Sequence, residues 1–339
     1  MPVILAKRSA EDDMPPLPEG LLIELVTPLT PVGVLDRASL ARLVEHVSPW
    51  AAALVAGTPG LGEALELPPL VRQELFTALL ESKPPTLPLF FGVTGGSLDE
   101  TLALAQQLER LLAPEAARDI FWLDLPLWWH SNRGLPQAYA QLSASLARPL
   151  VLLNQPHLIR GLAKPLKHLN IRTAVLKKLT NLAGVAGLVY HGELRRFLHY
   201  YAAAAARPDF MLYEGDERRF LTRPGARGVV SAGGQLLPQV WHQVAQACLF
   251  PSQGNGQGEA AAALLAMSRQ LLALHDCYHL QPASLLKQGL HQLGILAHPT
   301  VWPATPAAPA HLLEQFRQIL AQTSALSEGM TPSTSRVSS

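Results

Sequence analysis

Two adjacent lysines are the residues with the clearest chemical potential in this chain. Lys177 and Lys178 stand near the end of the apolar run TAVLKKL (173–179), which reads as a short strand. Desolvation at such a strand end disfavours the ammonium form, and the neutral amine that results can attack a carbonyl carbon. Adjacent strand residues face opposite sides, so one lysine points inward and the other outward, and apolar periodicity does not choose between them. Other apolar runs end in polar groups that could hold a small ligand: Thr58 in GTPG (57–60), Asn154 in LNQP (153–156) and Ser231 in SAGG (231–234). His130 and His157 lie beside expected strand ends and could move protons. His275 and His279 are spaced i, i+4 in HDCYH, which can place two metal ligands on one helix face. No HExxH context accompanies them, so they are read as solvent-facing or interface histidines and no metal is expected.

These groups need a scaffold that brings several strand ends together. Eight short apolar runs stand at 21–28, 52–57, 87–93, 119–126, 149–156, 173–179, 209–216 and 226–234. They are continuously apolar, as strands buried on both faces should be. Seven are followed by helical material. Asp36 is a plausible N-cap for a helix with Leu40, Leu43, Val44 and Val47 on one stripe, and Ser97 for the next but one, with Leu102, Leu104, Ala105, Leu108, Leu111 and Leu112 on its apolar side. The helix after the seventh run has room for only a turn or two in ERRFLTRPG. Eight strand–helix units imply a (β/α)8 barrel with a C-terminal helical extension, and chemistry in such a barrel sits at the C-terminal strand ends. No GxGxxG follows the first run, which argues against a dinucleotide-binding sheet. The expected division is a disordered tail at 1–19, a barrel at 20–250, a helical subdomain at 251–325 with stretches at 258–277, 283–294 and 309–325, and a disordered tail at 326–339.

Composition narrows the function classes. The 339 residues carry 27 Lys and Arg against 26 Asp and Glu, and only 16% are charged. This near-neutral balance lacks the basic footprint of a nucleic-acid binder and the attraction of a polybasic segment for membranes. No run of 18 uninterrupted apolar residues suggests a membrane span, and no signal segment is evident, so the expected location is the cytoplasm. Two cysteines, Cys248 and Cys277, cannot build a disulfide framework and read as small hydrophobes. Trp122, Trp128 and Trp129 read as core or interface packing, with sugar stacking as the alternative.

The motifs stand in an order that resembles the dihydrodipicolinate synthase / N-acetylneuraminate lyase family of Schiff-base aldolases. LVTPLTPVGVLDRASLARLVEH is similar to the family's opening strand and TP turn, and GTPG (57–60) to its GTTG loop, which binds the carboxylate of a 2-oxo acid. LNQP (153–156) resembles its YNxP turn, VLK (175–177) its GIK strand, and EGDE (214–217) its GDD turn. GARGVVSAGGQLLP (225–238) resembles its GxxGxISxxxNxxP segment, and PASLLKQGLHQLGI (282–295) its C-terminal helix bearing a lysine and then a glycine. The resemblance implies a TIM barrel and a pyruvate-type 2-oxo acid substrate, with no cofactor. It implies a homo-oligomer, dimer or tetramer, while the charge balance leaves no nucleic-acid or membrane partner expected. It selects Lys177 as the imine-forming amine, Thr58, Gly57 and Gly60 as the carboxylate cradle, and Asn154, Ser231 and Arg160 as further substrate contacts.

The same comparison shows departures. Pro59 replaces the second threonine of GTTG, and Leu61 and Gly62 stand where its glutamate should follow. Leu153 replaces the tyrosine of YNxP, and Trp128 stands at a second tyrosine position. Arg160 matches the arginine after YNxP only with an insertion. Leucine and proline transfer no proton, and the indole N–H only donates a hydrogen bond. Two readings follow: a Schiff-base lyase or aldolase with altered acid/base residues, or a catalytically degenerate paralogue that binds a small molecule or a partner protein.

Overall fold

The computed structural model describes residues 16–112, 119–164, 167–223, 225–250, 257–304 and 308–328. Its eight strands are β1 (Gly20–Glu24), β2 (Ala53–Ala56), β3 (Leu89–Gly92), β4 (Ile120–Asp124), β5 (Leu150–Asn154), β6 (Val185–Tyr190), β7 (Met211–Glu214) and β8 (Gly228–Ser231). They close in chain order into a barrel, the (β/α)8 architecture, with helices at the C-terminal end. Every residue of every strand is buried, which explains the uninterrupted apolar runs.

Seven strands form where the runs predict them; the sixth does not. TAVLKKL is the helix Thr173–Leu179. Leu176 and Leu179 are its buried residues, a three-residue spacing that belongs to a helix turn, and the two lysines lie in its last turn, where they complement the helix dipole. A seven-residue apolar run cannot be told from a strand by periodicity alone. The true sixth strand, VAGLVY, is marked by Gly184 before it and Gly192 after it, and carries Gly187 inside it. A Cβ on Gly187 would lie 2.8 Å from the Met211 carbonyl oxygen, so that glycine serves close backbone approach.

The chain divides into two compact units, one of 16–18 and Val93–Leu212, the other of Glu19–Gly92 and 213–328. In the first, β5 pairs in parallel with β4 and β6, with Trp122 beside Leu150 and Leu152 beside Leu188. In the second, β1 pairs with β2 and β8, β2 with β3, and Tyr213 of β7 lies beside Gly228 of β8. The helix signals hold. Asp36 accepts from the Ser39 N–H and Ser97 from the Glu100 N–H. Leu40, Leu43, Val44 and Val47 are all buried, whereas in the Leu98–Glu109 helix only Leu104, Ala105 and Leu108 of the expected stripe are, and Leu111 is exposed. The helix after β7 is short, Glu217–Thr222.

The extension is three helices, Gln257–Tyr278, Pro282–Gln292 and Ala310–Glu328, so the last runs past the expected boundary at 325. At the other end Leu17 is already buried and Glu19 pairs with Arg227, ahead of the expected start at 20. The expected tails otherwise fall on residues 1–15 and 329–339, outside the described residues. No helix among the described residues is long and apolar enough to cross a membrane.

Candidate functional site

In the Glu19–Gly92 and 213–328 unit, the strand ends converge on buried carboxyl groups. β1 ends in Glu24, whose Oε1 accepts the Thr58 hydroxyl proton at 2.6 Å. Thr58 in turn accepts the Gly62 N–H at 2.9 Å, and the neighbouring Thr27 hydroxyl donates to the Gly62 carbonyl at 2.7 Å. The loop after β2 is thereby folded back on itself at Gly57, whose φ of +63° suits a residue without a side chain. β8 ends in Ser231, whose hydroxyl donates to the Oε1 of Glu217. That carboxyl also accepts the Gly233 N–H at 2.8 Å and the Tyr278 hydroxyl at 2.6 Å. Burial pushes the Glu24 carboxyl up to about 7; the Thr58 hydrogen bond opposes this, and the negative charge of Glu217 adds to it.

Two further carboxylates in this unit have cationic partners. Glu214, at the end of β7, is gripped by Arg219 through two hydrogen bonds; burial raises its carboxyl while the guanidinium draws it back. Glu63 pairs with the fully buried Lys287 and accepts the Trp302 N–H at 2.7 Å. Lys287 also donates to the Thr300 carbonyl at 2.6 Å. Glu63 adopts a left-handed φ of +56°, an uncommon conformation for a residue with a side chain. Burial raises the Glu63 carboxyl and lowers the Lys287 amine, and their contact pulls both back.

The Val93–Leu212 unit has its own buried acid. Asp124, at the end of β4, accepts the Tyr139 hydroxyl at 2.5 Å and faces the Trp129 indole N–H at 3.3 Å. Burial raises both the Asp124 carboxyl and the Tyr139 hydroxyl. Asn154, at the end of β5, donates to Asn170 at 3.2 Å and to the Tyr200 hydroxyl at 2.9 Å, and its own Oδ1 is buried without a hydrogen-bond partner. β6 ends in Val189 and Tyr190, both buried.

The expected site residues therefore separate. Thr58 and Ser231 are buried and linked through their acids, Glu24 and Glu217, which interact electrostatically. Gly57 and Gly60 shape the loop that carries Thr58, and Asn154 stands at a strand end as expected. Lys177 does not stand at one. It is exposed on the Thr173–Leu179 helix, where solvent rather than a desolvating strand end surrounds it. Arg160 is exposed on the Pro156–Gly161 helix. His275, Asp276 and His279 bring ligand atoms within 4.8 Å of one another, but Asp276 already forms an ion pair with Arg218 at 2.7 Å, leaving the guanidinium where a cation would compete. Trp122 is fully buried and bonds to Glu109, as core packing requires.

A family model for the dihydrodipicolinate synthetase family matches residues 17–323, nearly the whole described chain. The chain belongs to the dihydrodipicolinate synthetase family. By family and fold it stands with the lyases and aldolases of that group. It is 26% identical over 313 residues to a 4-hydroxy-tetrahydrodipicolinate synthase of Pseudomonas aeruginosa, covering 91% of this chain and 99% of that one. Among solved structures it resembles the dihydrodipicolinate synthase of Thermotoga maritima, with a TM-score of 0.75, 20% identity, and 90% and 98% of the two chains covered. It also resembles the chloride-inhibited dihydrodipicolinate synthase of Acinetobacter baumannii complexed with pyruvate, with a TM-score of 0.72, 19% identity, and coverage of 92% and 99%. Set against the family's GIK pattern, the real sixth strand reads Gly187-Leu188-Val189, with valine at the lysine position.

Sequence reasoning missed Glu24, Glu217, Asp124 and the Glu63–Lys287 pair. A signal existed for two of them: Glu24 interrupts LLIELV and Asp124 interrupts FWLDLP, and a charge inside a run buried on both faces is rarely incidental. Glu63 is the residue immediately after Leu61 and Gly62, which stand directly behind GTPG.

Proposed function

We propose that this chain is a member of the family that has given up imine chemistry and keeps the barrel as a binding scaffold for a small molecule. The observation that carries this reading is that none of the eight strands contains a lysine, while Lys177 is exposed on a helix. Burial at a strand end is what would turn a lysine amine toward its neutral, nucleophilic form in such a barrel. Among the described residues the two buried lysines are held elsewhere: Lys287 pairs with Glu63, and Lys83 donates to the Leu87 carbonyl at 2.8 Å, before β3 begins. Leucine at 153 and proline at 59 fit the same reading, because a barrel without an imine needs no proton relay around it. The ligand-facing group in this reading is the Gly57–Gly60 backbone, with the Thr58 and Ser231 hydroxyls beside it already held by Glu24 and Glu217. Family membership further supports action in the cytoplasm and assembly into a homo-oligomer.

Borohydride trapping tests the proposal. The purified chain is reduced with borohydride in the presence of pyruvate and of a panel of larger 2-oxo acids, and the intact mass is read. No mass increment is expected with any of them. A stoichiometric adduct mapped to Lys177, or to any other lysine, would restore the lyase reading and overturn this one.

A further inference from the structure

We propose that Glu24 is a built-in occupant of the Thr58 cradle, and that it makes this barrel refuse 2-oxo acids and other small carboxylates. The inference rests on reading Thr58 as the residue that would hold a substrate carboxylate. A threonine hydroxyl has one proton, and that of Thr58 is already donated to the Oε1 of Glu24 at 2.6 Å. Its oxygen is engaged as well, by the Gly62 N–H at 2.9 Å. The next residue, Pro59, has no N–H to offer an anion. The hydroxyl of Ser231 is committed in the same way, to Glu217. Each of the two hydroxyls expected to greet substrate thus already serves a carboxyl group of the protein itself.

Glu24 cannot easily make way. It is the last residue of β1, level with Val55 of β2, and the following Leu25 N–H donates to the Val55 carbonyl at 2.8 Å. Its side chain is buried beside the charge of Glu217, which is itself held by Ser231, Gly233 and Tyr278. An arriving carboxylate would have to displace Glu24 from Thr58 and then share the space with two acids. Like charges brought together without water oppose binding strongly.

The test is equilibrium binding of oxalate and of pyruvate by titration calorimetry at pH 8, on the full chain and on variants Glu24→Ala, Glu24→Gln and Glu24→Ala/Thr58→Val. Wild type should show no saturable binding at millimolar ligand. Glu24→Ala should bind oxalate at least ~10-fold more tightly than wild type, as expected when a like charge is removed. The gain should vanish in the double variant. Glu24→Gln keeps the shape and removes the charge, and should show a smaller gain; it carries the test if Glu24→Ala does not give a cooperative melt. Saturable oxalate binding by wild type that equals that of the Glu24 variants would overturn the inference. Oxalate has no ketone and cannot be trapped as an imine. A borohydride adduct with pyruvate would therefore refute both readings, whereas oxalate binding indifferent to Glu24, with no such adduct, refutes this one alone.

Discussion

Replacing Glu24 with glutamine should remove a pH-dependent penalty on folding whose size follows from its burial. The carboxyl rests near 4.5 when exposed and near 7 in the folded chain, chiefly because burial disfavours its charge. Below pH 4.5 both states hold the proton and the group costs nothing. Between 4.5 and 7 the unfolded chain has released its proton and the folded chain has not, so stability falls as pH rises. Above 7 both are ionised and the penalty is constant, at about 3 kcal/mol from 1.36 kcal/mol per pH unit. Between pH 5 and pH 8 wild type should therefore lose about 2.5 kcal/mol that Glu24→Gln does not lose. At about 2.1 cal/mol/K of unfolding entropy per residue, this corresponds to about 4 °C in Tm for a chain of this length. Urea unfolding followed by far-UV circular dichroism at both pH values reads the difference. Other carboxyls titrate in both proteins and cancel in the subtraction. Stability curves that run parallel within 0.5 kcal/mol would refute the argument, because they would mean that Glu24 is solvated or that its charge is compensated.

Lys287→Met should cost about 3–5 kcal/mol in urea unfolding, because it strands the buried Glu63 carboxylate, and the double variant Glu63→Gln/Lys287→Met should recover much of that loss. Gly92→Ala should abolish the cooperative melt: a Cβ there would overlap the carbonyl oxygen of Gly57, which is backbone and cannot turn aside. Gly57→Ala is milder and should cost about 1–3 kcal/mol, since φ is +63° and the Phe91 ring lies 2.9 Å from the new Cβ. Lys177→Ala, on an exposed helix face, should leave the melt within about 0.5 kcal/mol of wild type; a loss of several kcal/mol would show that the side chain is buried after all.

Most of the barrel was legible because strands buried on both faces leave long apolar runs, and seven of these lay where the strands form. The sixth was lost to a competition between two short apolar segments 12 residues apart. TAVLKKL offered a lysine and no glycine, whereas VAGLVY carried Gly187, which lowers strand propensity but lets the backbone approach Met211 closely. The choice between them decided the chemistry, because only one of the two segments contains an amine. Thr58 and Ser231 were legible as strand-end hydroxyls, but what they bond to was not, since their partners come from β1 and from the helix after β7. Pairings between residues 34 or 14 positions apart leave no periodic trace.

The buried acids also differ in how their charge is met, and that difference marks Glu24. Glu214 has Arg219, Glu63 has Lys287, and Glu217 collects a serine, a backbone N–H and a tyrosine. Among the described residues Glu24 has the Thr58 hydroxyl and no cation in ion-pair range. Asp124 has the Tyr139 hydroxyl and the Trp129 indole N–H. A carboxylate held by one hydroxyl is therefore the most weakly compensated of these five, and a structural role alone would favour leucine or valine at that point of β1. A role at the strand ends, setting which charges the barrel admits, gives the carboxyl a reason to be there. If so, substituting Glu24 with valine should stabilise the fold at pH 8 while weakening its discrimination against carboxylates, the two effects moving in opposite directions. A valine variant that is both less stable and equally selective would instead make Glu24 a packing residue.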